Sequence, residues 1–130
     1  MKKITIITPT YNRAKTLPKV FESLLKQSFK DFIWIILDDG STDNTTEVVE
    51  NFQLFNPFFE IIYKKDKNRH KFLTVLEGVK MVKTPYFMVV DSDDIYPEDA
   101  LETLISEVEK IENQDNYVAV MGLSADENGK

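Results

Sequence analysis

The stretch FIWIILDDGS, residues 32–41, decides the fold of this chain of 130 residues. Its first six residues are apolar without a polar break, which is the pattern of a β-strand that is buried on both faces of a sheet. Two aspartates, a glycine and a serine follow at once, and these residues are typical of a turn that leads into a helix. The stretch therefore predicts a buried strand with an acidic loop at its carboxyl end.

Short apolar runs alternate along the chain with helical repeats of apolar residues. The other predicted strands are residues 4–7, 60–63, 86–90 and 117–121. The repeats predict a helix between each pair of successive strands, and the fourth helix is expected to begin at Pro97. The apolar positions of the four predicted helices, given helix by helix in chain order, are Leu17, Phe21, Leu24 and Leu25; Val48, Val49 and Phe52; Phe72, Val75, Leu76, Val79 and Val82; and Leu101, Leu104, Ile105, Val108 and Ile111.

The order βαβαβαβαβ predicts an α/β fold with a mostly parallel, Rossmann-like sheet and helices on both of its faces. Pro9 is expected to end the first strand. No internal repeat or linker divides the chain, so a single domain is predicted for residues 1–130. The last residues, Asn128-Gly129-Lys130, carry a hairpin signal without its returning strand. This ending predicts the N-terminal part of a longer protein, truncated at the C-terminus.

Composition and charge argue against several classes of protein. The chain has 16 basic and 22 acidic residues, a net charge of −6, and so lacks the basic surface that general binding of nucleic acid needs. It contains no cysteine, which excludes a disulfide framework and a cysteine nucleophile. The apolar start is too short for a signal peptide, and no run approaches the ~20 apolar residues of a membrane span. A cytoplasmic protein without a nucleic-acid partner is therefore expected.

Three polar clusters follow predicted strands. They are residues 8–12, TPTYN; residues 38–41, DDGS; and residues 91–94, DSDD. In a parallel sheet all strands end at one edge, where such folds bind ligands. A single cluster would mean little, because polar residues commonly end strands. Three clusters at one edge, two of them acidic, predict a binding site.

The residue types in these clusters suit a nucleoside diphosphate that is held through a metal ion. Asp91 and Asp93 offer the hard oxygen ligands that Mg²⁺ and Mn²⁺ prefer. Tyr11 offers a flat ring on which a base can stack, and Asp39 can accept hydrogen bonds from a base or a ribose. Because an acidic edge repels phosphates, a cation is needed there to reverse the sign of the charge.

The motifs resemble those of the family 2 glycosyltransferases of the GT-A fold, in the family's order and spacing and over essentially the whole chain. The matching segments are residues 9–13, PTYNR; 24–32, LLKQSFKDF; 38–43, DDGSTD; and 91–94, DSDD, with Pro97 and Leu101. The resemblance implies transfer of a sugar from a nucleotide-diphosphate sugar, commonly a UDP-sugar, to a hydroxyl of a saccharide or glycoconjugate acceptor. It also implies inversion at the sugar, dependence on Mn²⁺ or Mg²⁺, and polysaccharide assembly at the cytoplasmic face of a membrane.

By that resemblance, the nucleotide-binding residues come from the three clusters and one lysine. They are Pro9, Thr10, Tyr11, Asp39, Lys71, Asp91 and Ser92. The tyrosine lies against the base, and Asp39 hydrogen-bonds the base. Asp91 contacts the ribose or the metal shell, Asp93 binds the metal, and Asp94 is a second candidate ligand. The family's catalytic base lies well beyond the metal motif, so it is expected beyond Lys130.

The chain departs from the family pattern before its third helix. A glycine-rich stretch is common there, whereas residues 68–71 read NRHK, and Leu76 stands where an asparagine is common. Lys71 matches the family, but Arg69 and His70 in place of glycines change the loop that influences donor preference. His70 itself is interpreted as a solvated loop residue rather than a catalytic one.

Two other functions compete with the glycosyltransferase. A non-catalytic nucleotide-sugar-binding module would share the three clusters and lack a downstream base. A phosphotransferase with an aspartyl nucleophile would place an acid after the first strand, where this chain has Thr8-Pro9-Thr10. The glycine-rich phosphate loop that a nucleotidyltransferase would place after the same strand is also missing, in a chain with four glycines. The four phenylalanines of residues 52–59 favour core packing around a loop over a partner surface.

Overall fold

The computed structural model of the protein describes residues 2–115 and 119. Over this range the predicted alternation of strands and helices is confirmed. The elements are β1 (Ile4–Thr10), α1 (Leu17–Leu25), β2 (Phe32–Asp38), α2 (Thr45–Phe55), β3 (Glu60–Lys65), α3 (Lys71–Met81), β4 (Tyr86–Val89) and α4 (Ala100–Ile111). The predicted fifth strand, Ala119 apart, and the hairpin signal at Asn128-Gly129 lie outside the described residues.

The four described strands form one parallel sheet in the order β3-β2-β1-β4. Ile4 of β1 pairs with Phe32 of β2 on one side and with Tyr86 of β4 on the other. The carboxyl ends of all four strands therefore meet at one edge. The strand order reverses between β1 and β4, and such a switch point is where open α/β sheets bind ligands.

Helices cover both faces of the sheet, as predicted. Alternate strand residues point to opposite faces, and the larger core lies on the face covered by α1, α2 and α4. Its buried residues from the strands and helices include Ile4, Ile6, Phe32, Trp34, Ile36, Leu17, Val20, Leu24, Val49, Phe52, Leu101 and Ile105. On the opposite face, Ile7, Ile35 and Leu37 pack against Val79 of α3. None of the described helices is long and apolar enough to cross a membrane.

Strand β1 does not end at Pro9, contrary to the prediction, but continues to Thr10. In a parallel strand the N–H and C=O of one residue point to the same neighbour. The carbonyl of Ile7 accepts from Val90 on the β4 side, and that of Thr10 accepts from Asp39 on the β2 side. Pro9 therefore faces the β4 side, where pairing has already ended at Val89. Its missing N–H removes no ladder hydrogen bond there.

Helix α4 begins at Ala100, three residues later than the predicted start at Pro97. Gln27, which is buried at the end of α1, holds the preceding turn in place. Its amide nitrogen donates to the carbonyl of Pro97 at 2.6 Å, and its amide oxygen accepts from the N–H of Leu101 at 3.0 Å. This long-range contact fixes the helix boundary, and a local pattern cannot reveal it.

The predicted apolar face of α3 is wrong in part. Phe72 and Leu76 of that face are exposed, and the buried residues of α3 are Thr74 and Gly78. A Cβ at Gly78 would lie 2.7 Å from side-chain atoms of both Ile7 and Leu37, so only glycine permits this close approach. The backbone contact at Gly78 decides which side of the helix faces the sheet.

The phenylalanine-rich segment divides between core and surface. Phe52 and Phe59 are buried, as the prediction of core packing requires. Phe55 and Phe58 are exposed, and the ammonium of Lys30 lies 5.4 Å from the ring centre of Phe58. The expectation therefore holds for two of the four rings.

Candidate functional site

The three polar clusters meet in one cavity of about 260 Å³ at the carboxyl edge of the sheet. Its lining residues are Pro9, Thr10, Tyr11, Arg13, Asp39, Lys71, Asp91, Ser92 and Asp93. The structure thus brings together the predicted nucleotide-binding residues and the predicted metal ligands Asp91 and Asp93, whereas the second candidate ligand, Asp94, does not line the cavity. Arg13 is the lining residue that the prediction left out. The signal for it was its place as the first cation after the polar cluster of β1.

Asp39 forms a buried wall of the cavity, just after β2. Its Oδ1 accepts hydrogen bonds from the backbone N–H of Arg69 at 2.7 Å and from the hydroxyl of Thr74 at 3.2 Å. Its Oδ2 accepts none from the described residues. The N–H of Asp39 donates to the carbonyl of Thr10 at 2.9 Å, which ties this wall to the end of β1.

Gly40 allows the loop after β2 to pack against the loop after β3. It has a φ of +88°, and a Cβ there would lie 3.1 Å from the nitrogen of Asn68 and 3.2 Å from the oxygen of Asp66. The N–H of Asp66 also donates to the carbonyl of Asp38 at 3.0 Å. The two loops therefore support Asp39 together.

Asp38 is a structural residue and does not line the cavity of about 260 Å³. Its Oδ1 accepts from the N–H of Ser41 at 2.7 Å, and its Oδ2 accepts from the hydroxyl of Tyr63 at 2.5 Å. Burial, and then this bond to Asp38, raise the pKa of Tyr63. Asp38 thereby fixes the turn that follows β2.

Asn12 joins the cluster after β1 to the loop after β2. Its φ of +53° belongs to the left-handed region, which asparagine tolerates better than most residues. Its N–H donates to the hydroxyl of Ser41 at 2.9 Å, and its Oδ1 accepts from the N–H groups of Thr42 at 2.7 Å and Asp43 at 3.2 Å. These hydrogen bonds place the neighbouring ring of Tyr11 at the cavity, where Tyr11 is 44% exposed.

The hydroxyl of Thr10 is buried and has no hydrogen-bond partner among the described residues. Thr10 lines the cavity next to Tyr11. Buried polar groups in proteins are nearly always hydrogen-bonded, so this hydroxyl is an exception among the buried polar groups near the cavity.

An open acidic group of Asp91, Asp93 and Asp94 lies at the opposite side of the cavity, and Asp91 and Asp93 of this group line it. One carboxylate oxygen from each lies within 4.8 Å of the others. Partial burial raises the pKa of Asp94, and the charges of Asp91 and Asp93 raise it further. The ammonium of Lys71 contacts Oδ1 of Asp91 and supplies a positive charge at this side of the cavity. An all-oxygen set with room for more ligands suits a hard divalent cation.

His70 has a φ of 80° and a ψ of 144° at the start of α3. This conformation lies close to a region that is essentially restricted to glycine. The residue stands in the segment where the related family is commonly glycine-rich, so the chain keeps a glycine-like backbone with a histidine in it. The histidine is exposed and does not line the cavity.

A family model of glycosyl transferase family 2 matches residues 5–130 of the chain. Among curated proteins, the glycosyltransferase GlyG of Streptococcus pneumoniae is 33% identical over 107 residues, covering 82% of this chain and 35% of that protein. The poly(ribitol-phosphate) beta-N-acetylglucosaminyltransferase TarP of Staphylococcus aureus is 35% identical over 108 residues, covering 80% of this chain and 32% of that protein. The chain therefore spans about a third of the length of these relatives.

Solved structures show the same fold. S. aureus TarS in complex with UDP superposes with a TM-score of 0.77 and 25% identity over 85% of this chain and 33% of that one. The TarS complex with UDP-GlcNAc gives a TM-score of 0.75 and 26% identity over 85% of this chain and 32% of that one. Similarity in sequence and in backbone thus points to the same kind of protein.

Proposed function

Because the chain belongs to glycosyl transferase family 2 and adopts the GT-A fold, we propose that its cavity binds a nucleotide-diphosphate sugar, a UDP-sugar in particular, as the donor of a sugar transfer. The acceptor in this proposal is a hydroxyl of a saccharide or glycoconjugate. One observation carries the proposal. A single cavity has the hydrogen-bonded carboxylate of Asp39 and the ring of Tyr11 in its lining, together with Asp91 and Asp93 of the open acidic group.

The base of the nucleotide fits the side of the cavity made by Tyr11 and Asp39. The exposed ring of Tyr11 provides a stacking surface, and stacking of a base on an aromatic ring contributes about 1–3 kcal/mol. Oδ2 of Asp39, which accepts no hydrogen bond from the described residues, can accept from the N–H of uracil. The relation to TarS, which binds UDP and UDP-GlcNAc, supports uridine as the nucleoside.

The diphosphate fits the acidic side of the cavity only together with a cation. Asp91 and Asp93 would hold Mn²⁺ or Mg²⁺, with Asp94 as a third carboxylate within reach. When bound, such an ion neutralises the diphosphate and stabilises it as a leaving group. Lys71, beside Asp91, adds a positive charge for the same phosphates.

In this proposal the described residues bind the donor, and the remaining steps are assigned to residues beyond Lys130. Residues 1–130 are then the N-terminal, nucleotide-binding part of a longer domain, as the coverage of about a third of the relatives suggests. A carboxylate base downstream would remove the proton from the acceptor hydroxyl, which attacks the sugar with inversion. We place this reaction at the cytoplasmic face of a membrane, where polysaccharides are assembled.

Calorimetric titration of the chain with UDP and with GDP, each with and without Mn²⁺, tests this function. UDP is expected to bind with Mn²⁺ and to bind at least about 100-fold more weakly when Asp93→Ala removes a metal ligand, since even loss of an outer-shell partner costs about 10–100-fold. Asp99→Ala is the matched control: it removes the same charge from an exposed aspartate that does not line the cavity. Unchanged binding in Asp93→Ala, or binding that ignores Mn²⁺, would contradict the proposal.

A further inference from the structure

The orientation of Asp39 depends on Thr74, a residue that no sequence motif singled out. Thr74 is buried on the side of α3 that faces the sheet, and its hydroxyl lies 3.2 Å from Oδ1 of Asp39. Gly78, one turn later, lets α3 approach the sheet closely enough for this contact, because a larger residue there would collide with Ile7 and Leu37. The helix packing thus places a hydroxyl donor behind the base-binding carboxylate.

The single hydrogen of the Thr74 hydroxyl has two acceptors within reach. One is Oδ1 of Asp39, and the other is the carbonyl of His70, also at 3.2 Å. The carbonyl of His70 already accepts from the N–H of Thr74 at 3.1 Å. A charged carboxylate is the stronger acceptor, so the hydroxyl donates to Asp39.

Two donors therefore converge on the same oxygen of Asp39. The N–H of Arg69 and the hydroxyl of Thr74 use both lone pairs of Oδ1. Oδ2 accepts nothing from the described residues and is the oxygen left for a ligand. The carboxylate is held so that it offers one acceptor oxygen rather than two.

One acceptor oxygen distinguishes between the bases of nucleotide sugars. Uracil presents a single N–H between two carbonyls, which one oxygen satisfies. Guanine presents an N–H and an amino group side by side, and these pair best with both oxygens of a carboxylate. Leaving one of two polar groups without its partner costs affinity, which is how hydrogen-bonding sites reject the wrong ligand.

We propose that Thr74 is a positioning residue that makes Asp39 select uracil over guanine, by occupying the carboxylate oxygen that guanine would need. The proposal rests on the donor site proposed above and adds to it the residue that sets the choice of base. Thr74 touches no substrate in this role and acts only through Asp39.

The test compares two substitutions of Thr74 with the parent chain. Thr74→Val removes the hydroxyl and keeps the shape of the side chain, whereas Thr74→Ser keeps the hydroxyl. The dissociation constants of UDP and GDP are measured by calorimetry with saturating Mn²⁺ for all three proteins. Thr74→Val is expected to lower the preference for UDP over GDP by about tenfold, in line with the loss of one hydrogen bond to a charged group. Thr74→Ser is expected to keep the preference of the parent.

The outcomes separate this inference from the proposed donor site. If the parent binds UDP and Thr74→Val keeps its UDP-to-GDP ratio within about twofold, well short of the tenfold that one such hydrogen bond represents, the inference is wrong and the donor site stands. If Thr74→Ser loses the preference as fully as Thr74→Val does, Thr74 acts through packing alone and the inference is also wrong. If the parent binds neither nucleotide, both fail together. Circular dichroism checks folding, and Thr74→Ala replaces Thr74→Val if the valine disturbs α3.

Discussion

The loops after β2 and β4 both carry aspartates at the same edge of the same sheet, but the structure treats them in opposite ways. Asp38 and Asp39 are 2% and 8% exposed, and N–H and O–H donors fill three of their four carboxylate oxygens. Asp91, Asp93 and Asp94 each place one carboxylate oxygen within 4.8 Å of the others and are half-buried to exposed. Lys71 is the cation that contacts this group among the described residues.

In the proposed donor site, this difference corresponds to two ways of preparing one cavity for a ligand. The loop after β2 is ordered before the ligand arrives, because its carboxylates are already hydrogen-bonded by the protein. The loop after β4 keeps like charges together near water, and a cation would relieve their repulsion. Selectivity for the base is therefore expected from the first loop, and dependence on a metal from the second.

The largest expected effect is on the free energy of unfolding, which a substitution in the loop after β2 should lower far more than one in the loop after β4. Asp38→Ala leaves the hydroxyl of Tyr63 and the N–H of Ser41 without their acceptor and should lower the free energy of unfolding by about 2–4 kcal/mol. Asp93→Ala removes an exposed carboxylate from a like-charged group and should change it by less than about 0.5 kcal/mol. Urea denaturation followed by circular dichroism measures both. Equal destabilisation by the two variants would remove the distinction between the loops.

A smaller effect is expected at His70, where the loop that packs against the loop after β2 contains backbone strain. His70→Gly places a residue that tolerates positive φ at a φ of 80° and should raise the free energy of unfolding by about 0.5–1 kcal/mol. Asn68→Gly is the control, since Asn68 lies in the same loop without a positive φ and should lose stability instead. The same denaturation experiment compares them. A loss of stability in His70→Gly as large as in Asn68→Gly would contradict the expected strain.

The smallest effect concerns the affinity of the acidic group after β4 for a metal ion. Lys71→Met removes the ammonium that contacts Asp91 and should strengthen Mn²⁺ binding without nucleotide by about twofold, the scale of one exposed ion pair. The same variant should weaken UDP binding with Mn²⁺, because a charge for the phosphates is lost. Calorimetry with Mn²⁺ alone and then with UDP shows both changes. Lys67→Met, an exposed lysine without an ion pair among the described residues, should leave both affinities unchanged.

Much of the architecture could be predicted because its causes are local. The unbroken apolar run of β2 and the helical repeats fix the type and order of the described elements. Parallel connection then forces the residues after each strand to one edge, which is why Tyr11, Asp39 and Asp91 could be grouped from their positions in the sequence.

The misassigned features depend on contacts between distant parts of the chain. The start of α4 is set by Gln27, which is 70 residues away from Pro97 in sequence. The buried side of α3 is set by Gly78 against the sheet, which overrides the apolar repeat. Thr74 carries no motif, and its contact with Asp39 exists because the close packing at Gly78 places α3 where it is.

The sequence by itself determined most of the residues that meet at the site, because local patterns predict the alternation of strands and helices along the chain and the polar side chains that follow each strand. Only the tertiary structure decided which groups hydrogen-bond the two adjacent aspartates and how many acceptor oxygens Asp39 offers to the cavity. The physical reason is that burial and hydrogen bonding depend on what packs behind a residue. The hydroxyl of Tyr63 donates to Asp38 from 25 residues further along the chain, and the hydroxyl of Thr74 donates to Asp39 from 35 residues further along.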